Sequence, residues 1–185
     1  MNKLILLCAP SGTGKTSIAR LLCATDDRFH HVQVLTTRPI RPNEGGRSEK
    51  KPITYDELLL MNSTGELINF NEKDGVHYGI RYASIVSPIS NGKFPVLEWD
   101  INNMNYWDDK FPLYKVILKP ASIEHINESL NDGRDPHGLR KEGVLRELEL
   151  INSDTLNADL TISNFDNALM DSVQLIRSSI FKTSC

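Results

Sequence analysis

Residues Leu4 to Cys8 form an uninterrupted apolar run that passes directly into Ala9-Pro10-Ser11-Gly12-Thr13-Gly14-Lys15-Thr16. So short and so apolar a run predicts a strand buried on both faces of a parallel sheet. Residues 17–24 follow with Ile18, Leu21 and Leu22 at the spacing of one buried helical face. Strand, glycine loop and helix are therefore consecutive, and that order commits the chain to an α/β layer architecture.

The loop matches the Walker pattern of Gly, four residues, then Gly-Lys-Ser/Thr, with Ala9 standing at the first glycine. Gly12 and Gly14 remain free for backbone angles that a β-carbon disfavours. In such a loop the N–H groups of Ser11, Gly12, Thr13 and Gly14, with those of the first helical turn through Ser17, surround phosphate at a helix N-terminus. Lys15 neutralises β- and γ-oxygens, and Thr16 offers a hydroxyl to Mg²⁺. The expected cofactors are ATP and Mg²⁺.

Further strands are expected over 94–100, 113–119 and 159–163, alternating with helices over about 122–130, 139–151 and 167–181. Between Thr36 and Ser87 the texture changes to short, polar, glycine-bearing pieces, which read as an insertion into the sheet. At 185 residues one domain is expected, with a core of 1–35 and 88–185 and an insertion of 36–87. A formal net charge of −3 supplies no basic field for nucleic acid. No stretch is long and apolar enough to span a bilayer, and Leu4–Cys8 is shorter than the apolar core of a secretion signal. The three cysteines show neither CxxC spacing nor a metal-ligand cluster and fit a reducing cytoplasm. The expected partner is a small phosphorylated acceptor, with no nucleic acid and no membrane; the oligomeric state is left open.

A second anion site is suggested by Thr36-Thr37-Arg38-Pro39-Ile40-Arg41-Pro42-Asn43-Glu44. Two arginines three residues apart, stiffened by prolines, present forked donors suited to a terminal phosphate. The alternative is a solvated basic loop. Glu98 and Asp100 are two apart on an expected strand and so point to one side, where they could organise Mg²⁺ waters or meet an acceptor. Their alternative is an acidic strand end exposed to solvent.

Taken together, these motifs resemble the guanylate kinase family. The resemblance extends to Asp56-Glu57-Leu58, to Val76-His77-Tyr78-Gly79, to Gly92 through Asp100, and to Asn164 with Asp166. It implies a P-loop three-layer α/β fold with a parallel sheet, an acceptor-binding insertion and a mobile lid over about 131–146. It also implies that Arg38, Arg41 and Tyr78 hold the acceptor phosphate, with Glu44 and Lys50 in the acceptor site. Arg134 and Arg146 would cover the transferring group, and Asn164 would touch the nucleotide.

Four acceptor-site positions depart from the family pattern. Asn69 stands where guanylate kinases carry a glutamate, Val34 where a serine is usual, Lys50 for a tyrosine, and Ile80 for a serine or threonine. A carboxamide offers one acceptor and one donor, so it cannot meet both donors of guanine; a buried mismatch costs about 1–3 kcal/mol. Three readings follow: a divergent guanylate kinase acting on GMP or dGMP, a relative of ribose 1,5-bisphosphate phosphokinase, or a phosphopeptide-binding module. The intact Gly14-Lys15-Thr16 argues against the last.

Lys15→Ala is expected to lower turnover by at least about 100-fold while leaving the circular dichroism spectrum unchanged. Near-normal activity in a folded variant would refute the P-loop reading.

Overall fold

The computed structural model describes residues 2–40, 49–73, 75–120, 139–153, 155–164 and 168–182. In chain order the first half contains β1 (Leu4–Cys8), α1 (Lys15–Thr25), β2 (Phe29–His31), β3 (Val34–Thr36), β4 (Lys50–Pro52), α2 (Tyr55–Ser63), β5 (Leu67–Lys73) and β6 (Val76–Arg81). The second half contains α3 (Ala83–Ser90), β7 (Phe94–Trp99), a 3₁₀ segment (Ile101–Trp107), β8 (Leu113–Pro120), α4 (Leu139–Asn152), β9 (Leu160–Asn164) and α5 (Leu169–Lys182).

The central sheet has the order β2-β7-β1-β8-β9, and every pairing in it is parallel. As the apolar run requires, all five residues of β1 are buried. Alternation divides them between two faces. Ile5 and Leu7 pack with Ile18 and Leu22 of α1 and with Val173, Ile176 and Ile180 of α5. Leu4, Leu6 and Cys8 pack on the other face with Ile85 of α3, Met104 and Trp107 of the 3₁₀ segment, and Ile151 of α4. Helix, sheet and helix thus form the three layers expected.

A four-stranded sheet, ordered β4-β3-β6-β5, is built from the polar stretch read as an insertion. It begins at Val34, two residues before the expected boundary, and Val34 and Ile80 join the second apolar cluster. Helix α2 lies against this sheet. Its start is fixed by a capping box in which Thr54 accepts from the Glu57 backbone N–H while the Glu57 carboxylate accepts from Thr54 N–H. The close approach explains Gly79: a β-carbon there would lie 2.7 Å from Leu58 Cδ1.

The expected strands and helices recur with small shifts of their ends. Strand β7 stops at Trp99, because Asp100 turns its carboxylate to the Asn102 N–H and caps the 3₁₀ segment. The last helix starts at Leu169, two residues later than periodicity suggested. The helix expected over 122–130 lies outside the described residues.

Asp26, just beyond α1, ties that helix to α5. Its carboxylate accepts from Arg28 at 2.9 and 2.7 Å and meets Arg177 Nε at 3.0 Å. The hydrogen bonds from Arg28 outweigh burial and hold the Asp26 carboxyl below its ordinary 3.8. The stabilisation is therefore present above that pH and lost as pH falls through the lower folded value. Asp26→Asn is expected to cost about 1–3 kcal/mol at pH 7, measured by urea unfolding. The gap between variant and parent should close as the pH drops below 3.8, and a gap independent of pH would contradict this account.

Candidate active site

The glycine loop leaves the C-terminal end of β1, where open parallel sheets bind ligands. Gly12 and Gly14 adopt φ of 84° and 91°, so both glycines are used in the left-handed region. Gly14 is the N-cap of α1, and it has no side chain with which to fill the helix end. Ala9, at the first glycine position, is buried, and its carbonyl accepts from Lys15 Nζ. A second bond from Nζ reaches the Pro10 carbonyl at 3.1 Å. Burial pushes the Lys15 pKa down, while Glu98, Glu147 and Asp100 act in the opposite sense.

Parallel pairing sets Leu7 beside Glu98 and Cys8 beside Trp99, so β7 delivers a carboxylate next to the loop. Thr16 Oγ1 donates to Glu98 Oε2 at 2.6 Å, and His31 Nε2 donates to Glu98 Oε1 at 3.1 Å. Burial raises the Glu98 pKa, but these two bonds and the charge of Lys50 outweigh it and keep the carboxyl below its ordinary range. Asp100 is likewise held down against burial, by the Asn102 N–H and by Lys73. Glu147 is pushed up, first by burial and then by the charge of Asp100.

Two cavities meet here. One is lined by Ala9, Ser11 and Lys15 together with Glu147, and the other by Val34, Asn69, Asn71, Tyr78, Ile80 and Asn103. Lys50, Lys73, Glu98, Trp99 and Asp100 line both. The structure therefore brings Ser11, Lys15, Lys50, Asn69, Tyr78, Glu98 and Asp100 together, with Thr16 joined through Glu98. Thr13 is buried and Ser17 exposed, and neither lines either of these two cavities.

The remaining expected residues stand differently. Arg38 follows Thr37, whose N–H and Oγ1 bond the His77 backbone, and its Nη1 donates to the Pro39 carbonyl at 2.9 Å. Arg146 is exposed on α4, 3.6 Å from Glu142, and lines neither cavity; the next residue, Glu147, lines the one beside the loop. Arg41, Glu44, Arg134, Asp166 and the side chain of Asn164 lie outside the described residues. Sequence reasoning missed Asn71 and Lys73, although residues 69, 71 and 73 alternate along β5 and so share one face. His31 left no signal, because only the pairing of β2 with β7 brings it to Glu98.

The sequence model of guanylate kinase matches residues 1–174. The chain belongs to the guanylate kinase family. It is 28% identical over 190 residues to guanylate kinase of Thermotoga maritima, covering 99% of this chain and 90% of the relative. Guanylate kinase of Paraburkholderia xenovorans is 27% identical over 173 residues, covering 92% of this chain and 77% of the relative. Among solved structures, guanylate kinase from Anaplasma phagocytophilum superposes with a TM-score of 0.75 at 19% identity, covering 98% of this chain and 86% of that one.

Family membership makes the protein a phosphotransferase that uses ATP with Mg²⁺, and the residues present fit both groups. The loop offers N–H groups and a lysine ammonium held by carbonyls; the Thr16 hydroxyl beside an ionised, partly buried carboxylate is the oxygen chemistry a hard cation takes. Among the described residues no helix is long and apolar enough to cross a membrane.

The brace on Glu98 is open to test. His31→Ala is expected to raise the Mg²⁺ concentration needed for half-maximal activity by about 10-fold, with partial recovery in His31→Gln. An unchanged Mg²⁺ dependence would show that His31 does not steady this group.

Proposed function

We propose that the protein moves the γ-phosphoryl group of ATP onto GMP or dGMP, giving the nucleoside diphosphate. The observation that carries this reading is the confluence of the two cavities through Lys50, Lys73, Glu98, Trp99 and Asp100. A phosphate-bearing acceptor in one cavity would face the terminal phosphate held in the other. The names of the relatives, all guanylate kinases, supply the acceptor. They lend no support to a sugar bisphosphate acceptor or to a peptide-binding role.

In this reading Lys15 and the loop N–H groups of Ser11 through Thr16 hold the phosphates, with Ser17 in the first turn of α1 behind them. Bound ATP with Mg²⁺ supplies the transferable group and neutralises charge on it. Thr16 would give its hydroxyl to the cation, and Glu98 or Asp100 would meet it through water. Lys50, Tyr78, Arg38 and Arg41 would align the acceptor phosphate, with Glu44 also in the acceptor site, while Asn69 serves its nucleoside end. Asn164 would touch the donor nucleotide.

The lid over 131–146 would close on the pair, with Arg134 and Arg146 stabilising the charge of the transition state and water excluded. For Arg146 this requires leaving Glu142, an exposed pair worth little. Transfer is in line, and no side chain need act as nucleophile. Tyr78 and Lys50 thus act on position rather than on bonds.

The test is ATP consumption with Mg²⁺ against GMP, dGMP, UMP, ribose 1,5-bisphosphate and a blank without acceptor. Turnover on GMP and dGMP well above the blank is expected. Turnover confined to the sugar bisphosphate, or none above the blank, would overturn the proposal.

A further inference from the structure

The nucleoside end of the acceptor cavity is made by three surfaces. Asn69, Asn71 and Lys73 come from one face of β5, Val34 and Ile80 from β3 and β6, and Trp99 and Asn103 from the end of β7 and the 3₁₀ segment. Val34 and Ile80 are apolar and buried, so their side chains read no polar group. Asn69, only 6% exposed, sits opposite Ile80, and its buried Oδ1 has no hydrogen-bond partner among the described residues. A buried acceptor of that kind awaits a donor.

Guanine and hypoxanthine share a lactam edge, a carbonyl at C6 beside an N1–H, and differ only in the 2-amino group of guanine. A carboxamide matches the shared edge: its oxygen accepts from N1–H and its NH₂ donates to the carbonyl. Both of its functions are then used, and the 2-amino group must find another acceptor. Among the described residues that line this cavity the carboxylates are Glu98, whose oxygens accept from Thr16 and His31, and Asp100, whose Oδ1 already accepts from the Asn102 N–H at 3.0 Å and from Asn102 Nδ2 at 2.9 Å. Its Oδ2 faces Lys73 Nζ at 3.5 Å. Asn71 and Asn103 are exposed, where water competes for their carbonyls.

We infer that the site reads the lactam edge through Asn69 and does not read the 2-amino group, so that its acceptors are 6-oxopurine nucleoside monophosphates as a class. This deepens the guanine-nucleotide reading above and rests on it. A site that pairs a buried group with a substrate N–H rejects the analogue lacking it by large factors, whereas one without that pairing discriminates little. Inosine monophosphate, whose base is hypoxanthine, is therefore a substrate comparable with GMP.

The experiment measures kcat/KM for GMP and for inosine monophosphate under saturating ATP and Mg²⁺, in the parent protein and in Asn69→Glu. The parent is expected to turn over both with efficiencies within about 10-fold of each other. Asn69→Glu, which restores a second acceptor, is expected to widen the preference for GMP by at least about 10-fold. A parent preference for GMP greater than about 10-fold overturns the inference while leaving the proposed function standing. Turnover of neither nucleotide overturns the proposed function itself. The parent comparison decides the matter even if Asn69→Glu fails to fold.

Discussion

Burial of β1 on both faces is the constraint on which the rest of this molecule depends. Ile5 and Leu7 engage the layer of α1 and α5, and Leu4, Leu6 and Cys8 engage the layer opposite, so the strand cannot slip by one residue without exchanging its two faces. With the strand fixed, its C-terminal end is fixed, and the glycine loop emerges beside the matching end of β7. Parallel register sets Glu98 within 2.6 Å of Thr16. A site that requires phosphate, metal and carboxylate to meet is thus assembled by packing that has no chemistry of its own.

The electrostatics of the site follow from how those groups are enclosed. Glu98 stays ionised because it is given donors from both sides, and Lys15 is left with carbonyls as its hydrogen-bond partners, as suits a cation awaiting phosphate. Glu147, pushed up by burial and by Asp100, lines the same cavity as the loop. Arg20 joins Glu49 and so connects the helix after the loop to the edge of the second sheet. The second sheet and the glycine loop are in this way parts of one framework.

Much of this was legible beforehand. The run Leu4–Cys8 with its glycine loop and helix named the first βα unit, and Asn69, expected in the acceptor site, lines a cavity opposite Ile80. The four-stranded second sheet was not legible as such, because β3 and β4 have only three residues each and Lys50–Pro52 carries no apolar alternation. Nor was the presence of Glu147 at the cavity. One residue along a helix turns a side chain by about 100°, and local sequence does not fix that rotation when the helix is weakly amphipathic.

The sequence by itself determined the chemistry available here: a phosphate loop, a lysine, a hydroxyl for a cation, and a carboxamide at position 69 in place of a carboxylate. Those are properties of residue type and of spacing within about ten positions, which the backbone's own geometry converts into local structure. Only the tertiary structure decided the pairings across long separations. Thr16 meets Glu98 82 positions away and His31 meets it from 67 away. Asp100 is drawn to Lys73, 27 positions away. The reason is physical: strand order and register are set by the summed burial of the whole core, and no single stretch of chain contains that sum.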